Sequence, residues 1–102
     1  MQRLSIIRYT VKPEAAEENV RLSRAVFAEA HRTAPDHIAY GLFRQGDEFI
    51  HVFLNLAGDS SDPITELPSF KAFQADIADR CLVPPAPERY AVELVDSYGL
   101  PA

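Results

Sequence analysis

Cysteine is nearly missing from this chain: Cys81 is the single thiol in 102 residues, so no internal disulfide can staple the fold. Long apolar runs are missing too, and nothing approaches the roughly 18 residues of a membrane-spanning helix. Basic residues are outnumbered, 10 Lys and Arg against 15 Asp and Glu for a net charge of −5, and they form no cluster. That balance argues against a nucleic-acid or anionic-membrane partner. The opening Met-Gln-Arg-Leu-Ser has neither the apolar core nor the small-residue cleavage site of a signal peptide, and a cytoplasmic location is expected. Solenoid repeats and low-complexity tracts are absent. So are a Gly-rich phosphate loop, a Gly-x-Ser-x-Gly elbow and a dinucleotide fingerprint; no nucleotide or flavin cofactor is indicated. His31, His37 and His51 stand at no metal-ligand spacing from one another, and no metal is expected.

What is present is one domain, residues 1–102, long enough to bury roughly two-thirds of its unfolded surface. Phe49 to Leu56 is the clearest strand. Ile50, Val52, Leu54 and Leu56 fall on one of its faces and Phe49, His51, Phe53 and Asn55 on the other. The wholly apolar set is expected under helices. The mixed set, two aromatic rings with an imidazole and a carboxamide, has the make-up of a ligand-pocket wall. Ahead of it, Arg3 to Val11 alternates as a strand and stops at Lys12-Pro13. Pro13, Glu14, Glu17 and Glu18 open a helix to about Thr33, with Ala16, Val20, Ser23, Phe27 and Ala30 on one stripe and a Glu17 to Arg21 pair outside. Ala34-Pro35-Asp36 breaks it, and His37 to Gln45 reads as a second strand.

With Gly46-Asp47 as a tight turn, Leu42 faces His51, Tyr40 faces Phe53 and Ile38 faces Asn55, which sets Tyr40 diagonal to His51. Ala57 to Pro63 is a loop. Pro68 restarts a helix whose seam, Phe70, Phe73, Ile77 and Cys81, runs to just before Pro84-Pro85. Arg89 to Tyr98 closes the chain as a strand. The order strand, helix, strand, strand, helix, strand predicts an α+β, ferredoxin-like βαββαβ domain: two helices on one face of a four-stranded antiparallel sheet. An open face carrying Phe49, Phe53, Tyr40, Leu42 and Ile38 is too apolar to leave in water, so a second copy is expected to cover it as a homodimer.

This plan, the Pro-Glu helix start, the Phe-x-His of the third strand, Leu67-Pro68-Ser69-Phe70-Lys71-Ala72-Phe73, Arg80-Cys81 before Pro84-Pro85 and the closing Ser97-Tyr98-Gly99 resemble the dimeric α/β-barrel superfamily. The nearest likeness is to its small bacterial antibiotic biosynthesis monooxygenase-like proteins. The resemblance spans nearly the whole chain. It implies two sheets joined face to face into a shared barrel, with any ligand between the sheet's inner face and the helices. It implies no single chemistry, because the superfamily holds cofactor-independent oxygenases of polyphenolic polyketides, haem-degrading enzymes, cyclases, lactone isomerases and members without known activity.

His51 is the candidate general base, with an ordinary pKa near 6.5; a buried neutral imidazole packed at a dimer contact is the alternative. Tyr40 and Asn55 are candidates to orient a phenol or stabilise an oxyanion, against simple packing. Phe49, Phe53, Leu42 and Ile38 are the candidate substrate-binding residues. Arg8 and Glu93 could pair across the first and last strands, and His31 faces the helix C-terminal dipole. Cys81, on a helix seam, is expected to pack rather than react. Three functions remain open: cofactor-independent oxidation of a small aromatic or polyketide-like molecule with His51 as base, cyclisation or isomerisation by proton transfer, and a non-catalytic dimer that binds a small hydrophobic molecule.

Overall fold

The computed structural model describes residues 2–59 and 62–100. Ser60 and Ser61, within the expected loop, lie outside them. Alternating side chains without glycine or proline make β1, Gln2–Val11, and Lys12-Pro13 ends it in a 3-10 turn, Pro13–Ala15. The turn feeds α1, Ala16–Thr33, with Glu17 and Glu18 in its first turn, where their charge suits the positive end of the dipole. Ala34, in the left-handed region at φ 44°, closes the helix through its N–H to Ala30 O before Pro35. β2, Ile38–Gln45, reverses through Gly46 (φ 60°) into β3, Glu48–Asn55. The second helical region is α2, Pro68–Ala75, and a single turn, α3, Ile77–Arg80; β4, Cys81–Val92, completes the sheet.

The sheet is antiparallel, in the order β2-β3-β1-β4. This is the expected ferredoxin-like α+β architecture. The β2–β3 register is the predicted one, with Leu42 opposite His51, Tyr40 opposite Phe53 and Ile38 opposite Asn55. Tyr9, Val11, Phe49 and Phe73 meet Val26, Ile64 and Leu67 in the core between sheet and helices. Glu29 of α1 fastens α2 by accepting from both the N–H and the hydroxyl of Ser69, at 3.0 and 2.6 Å. Those two bonds hold the Glu29 carboxyl below its ordinary pKa. Among the described residues no helix is long and apolar enough to cross a membrane.

Four expectations are corrected. The faces of β3 are exchanged: Phe49, His51 and Asn55 are buried toward the helices, whereas Ile50, Val52 and Leu54 are half-buried on the open face. Tyr40, Leu42, Phe53 and Ile38, expected on the open face, pack instead against the buried core. The physical reason is that His51 and Asn55 find hydrogen-bond partners on that side, His51 in Tyr9 and Tyr40 of the flanking strands and Asn55 in the N–H of Ala57, so their burial carries little penalty. Second, the long seam helix breaks at Asp76 (φ −117°, ψ 18°), and Cys81 begins a strand. Asp is a weak helix former, and the break lets Arg80 turn inward.

Third, the final strand is Cys81–Val92 rather than Arg89 to Tyr98, so Pro84 and Pro85 lie inside it. β4 is an edge strand, where a residue without an N–H is tolerated, and its register shifts near Arg8 and Thr10 absorb the irregularity. Consequently Arg8 stands opposite Ala86, and Glu93 lies beyond the strand. Fourth, the helix ion pair forms between Arg21 and Glu18, while Glu17 reaches Arg44.

Phe49 is 1% exposed, so the exchange of faces has a thermodynamic signature. Phe49→Ala should lower unfolding free energy by about 3–5 kcal/mol in urea titration. A loss below about 1 kcal/mol would put Phe49 on an exposed face.

Candidate functional site

The antiparallel ladders place His51 between two tyrosines. Its direct partners are Ile7 on β1 and Leu42 on β2. Tyr9 stands two residues along β1, opposite Phe49, and Tyr40 two residues along β2, opposite Phe53, so both reach His51 from diagonal positions. Diagonal neighbours about 7–8 Å apart are within range of long aromatic side chains. Tyr9 Oη lies 2.7 Å from His51 Nε2 and Tyr40 Oη 2.6 Å from Nδ1, so both ring nitrogens are engaged. Both phenol rings are stacked with the imidazole, with centroids 5.3 and 5.8 Å away.

The chain of polar groups continues into the helices. Asn19, wholly buried on α1, donates from Nδ2 to Tyr9 Oη at 3.0 Å. Arg80, at the end of α3, donates from Nε to Asn19 Oδ1 at 3.1 Å and from Nη2 to Phe73 O at 2.7 Å. Its guanidinium carbon lies 5.1 Å from the Phe73 ring centroid. No carboxylate pairs with this buried cation among the described residues. Carbonyl oxygens and an aromatic face compensate it instead.

Burial sets the protonation states. It pushes the His51 pKa down to about 4, because the imidazolium would lose its hydration. It pushes Tyr9 up to about 12, with the Asn19 bond and the Arg80 charge offsetting part of the rise. Tyr40 is also raised, by burial first and by Tyr9 second. At neutral pH the assembly is therefore uncharged from Tyr40 to Asn19.

A cavity of about 150 Å³ lies between the sheet and α2, walled by Tyr9, His51, Phe53, Phe70 and Phe73, with Ile7, Ile38, Ile77, Pro85 and Pro87 completing its apolar lining. Arg3, Ser5, Asn55 and Arg89 supply polar groups. A void of that size holds about one benzene-sized ring.

The residues singled out in the sequence are thus divided. His51, Asn55, Phe53 and Ile38 line the cavity. Asn55 Oδ1 is turned to the N–H of Ala57, at 3.0 Å. Tyr40 contacts His51 but lines a neighbouring groove with Phe27 and His31. Phe49 and Leu42 line a third recess beside α1, away from the cavity. Cys81 is half-buried, and burial raises its thiol pKa. His37 is exposed, in the left-handed region at φ 62°. Sequence reasoning missed Tyr9, Asn19 and Arg80. Asn19 did carry a signal, standing three residues after Ala16 and four before Ser23 on the predicted buried stripe of the first helix.

No family model matches the chain, and no curated protein matches it in sequence. Solved structures do match its fold. Rv0793 from Mycobacterium tuberculosis superposes with a TM-score of 0.77 at 18% identity, over 94% of this chain and 100% of that one. A conserved protein from Methanosarcina mazei Go1 gives 0.75 at 14% identity, over 91% and 94%. A protein named antibiotic biosynthesis monooxygenase gives 0.69 at 21% identity, over 92% and 100%. The fold is that of the antibiotic biosynthesis monooxygenase-like proteins.

Neutral burial of His51 ties stability to pH. An imidazole at about 4 in the folded chain and near 6.5 when unfolded binds fewer protons folded, so stability is complete above pH 6.5 and is lost as pH falls toward 4. The loss is about 3 kcal/mol. Urea unfolding between pH 7 and pH 4 should show it, and His51→Gln should flatten that part of the profile. Parallel wild-type and variant profiles would mean that the folded imidazole titrates normally.

Proposed function

We propose, for a chain with the fold of the antibiotic biosynthesis monooxygenase-like proteins, that it binds a small single-ring aromatic molecule between sheet and α2 and draws a proton from its hydroxyl through Tyr9 and His51. The overall reaction is cofactor-independent oxidation. The observation that carries this reading is the ring-sized, aromatic-walled cavity with Tyr9 hydrogen-bonded to a neutral His51 in its wall. Phe53, Phe70 and Phe73 supply faces for a flat ligand, and Ile38 supplies apolar wall.

Both nitrogens of His51 are occupied, so Tyr9 Oη is the atom that meets the substrate hydroxyl. Charging His51 outright is unfavourable: with its pKa at about 4 and a phenol near 10, an imidazolium–phenolate pair lies about 8 kcal/mol uphill. Passing a proton onward as another arrives avoids that charge. The resulting phenolate-type ring is electron-rich and reacts with dioxygen. A hydroquinone and dioxygen give a hydroxyquinone and water, one oxygen atom entering the ring and the other leaving as water, with the ring supplying every electron. Support for the oxygen step comes from the monooxygenase names carried by several structures of the same fold. The same Tyr9–His51–Tyr40 contact serves cyclisation or isomerisation without oxygen, and its two-sided hydrogen bonding favours that second reading.

The homodimer belongs to the same proposal. Leu4, Ile6, Ile50, Val52 and Leu54 lie on adjacent strands of the open face, with Phe43 60% exposed beside them. An apolar sheet face of this kind fits a second copy of itself.

A hydroquinone at about a hundred times its dissociation constant should stabilise the protein by about 2.7 kcal/mol in thermal shift, an effect lost in Tyr9→Phe and His51→Ala. Oxygen uptake abolished by His51→Ala supports oxidation, whereas turnover unchanged under nitrogen assigns isomerisation. Activity unaltered by His51→Ala removes both. Equilibrium sedimentation should give a dimer that Val52→Lys converts to monomer; a monomeric wild type overturns the shared sheet contact.

A further inference from the structure

Arg80 can only donate hydrogen bonds. Its Nε–H therefore fixes Asn19 Oδ1 as the acceptor end of the amide, and the Asn19 NH₂ faces Tyr9. Tyr9 Oη accepts from that NH₂, and the acceptor in reach for its own proton is His51 Nε2, at 2.7 Å. A neutral imidazole that accepts at Nε2 carries its proton on Nδ1 and donates it to Tyr40 Oη, at 2.6 Å. Every donor then points the same way, and the hydroxyl proton of Tyr40 is left over at the far end. Tyr40 lines a groove of about 230 Å³ at the C-terminal end of α1, together with the exposed His31.

We propose that Asn19, held by Arg80, is a positioning residue that locks His51 as its Nδ1–H tautomer and so aims a proton relay outward, from the cavity through Tyr9 and His51 to Tyr40 and the α1 groove. The chemical use of the relay rests on the proposed function, but the tautomer and its cause do not. In one outward passage the substrate hydroxyl proton moves to Tyr9 Oη, the Tyr9 proton to Nε2, the Nδ1 proton to Tyr40 Oη, and the Tyr40 proton to water in the groove. Tyr9, His51 and Tyr40 each end neutral, the imidazole has changed tautomer, and the negative charge stays on the substrate oxygen, now accepting from Tyr9. The Arg80 charge lies beyond Asn19 and favours that anion. A proton returning along the path restores the starting arrangement, so isomerisation resets the relay within one cycle.

The experiment is nitrogen-15 NMR of the histidine rings in the ligand-free protein at neutral pH. The wild type should show His51 protonated at Nδ1 and bare at Nε2, the reverse of the tautomer that free histidine prefers. Asn19→Asp should invert it, because the new carboxylate takes the Tyr9 proton, Tyr9 then accepts from Nε2–H, and Tyr40 donates to Nδ1. Tyr40→Phe should keep Nδ1–H, since the order is imposed from the Asn19 side, while slowing exchange of that proton with water by about 100-fold. A wild type protonated at Nε2 overturns the proposal whether or not the variants fold. A tautomer switch in Tyr40→Phe overturns the role of Asn19, and unchanged exchange overturns the exit through Tyr40. Because no ligand is present, failure of a hydroquinone to stabilise the protein leaves these outcomes intact.

Discussion

Burying an imidazole with both nitrogens satisfied is the constraint on which the molecule turns. His51 is 3% exposed, and a neutral ring at that depth needs one donor and one acceptor within hydrogen-bond reach. Tyr9 and Tyr40 answer the need from flanking strands, and satisfying Tyr9 draws in Asn19, which in turn draws in Arg80. Residues from β1, α1, β2, β3 and α3 are thereby joined by one run of hydrogen bonds. The aromatic packing follows the same line, since Tyr9 stacks on Phe49 and Tyr40 lies between Phe27 and Phe53.

That requirement also accounts for two departures from simple patterning. A strand that could bury Ile50, Val52 and Leu54 instead turns His51 and Asn55 inward, because Tyr9, Tyr40 and the Ala57 N–H offer polar partners on the side where the helices supply apolar contacts. A helix whose seam could continue to Cys81 breaks at Asp76, and the single turn that follows carries Arg80 into the core. In each case a specific hydrogen-bonded arrangement outweighs the local apolar period.

The fold was legible because its signals are local. Gly46 at the β2–β3 reversal set the register of Ile38, Tyr40 and Leu42 against β3, and Pro13 and Pro68 marked where the helical segments begin. The proximity of Tyr40 to His51 followed from that register alone. Which face of β3 is covered was not legible, since both faces are rich in apolar groups and the period of two distinguishes faces without saying which lies under helices. Tyr9 and Asn19 escaped notice for another reason. Ten residues apart, on a strand and a helix, they meet only through the crossover that packs α1 on the sheet. β4 misled because prolines read as breaks, and only its edge position makes them acceptable in a strand.

Those prolines shape how the sheet can grow. Pro84, Pro85 and Pro87 remove three backbone donors from β4, one of the two edge strands. An incoming strand laid along that margin would find gaps in the ladder, so edgewise accretion of the kind that seeds fibrils is discouraged there. Lateral growth of the sheet is thus hindered along β4, one of its two margins.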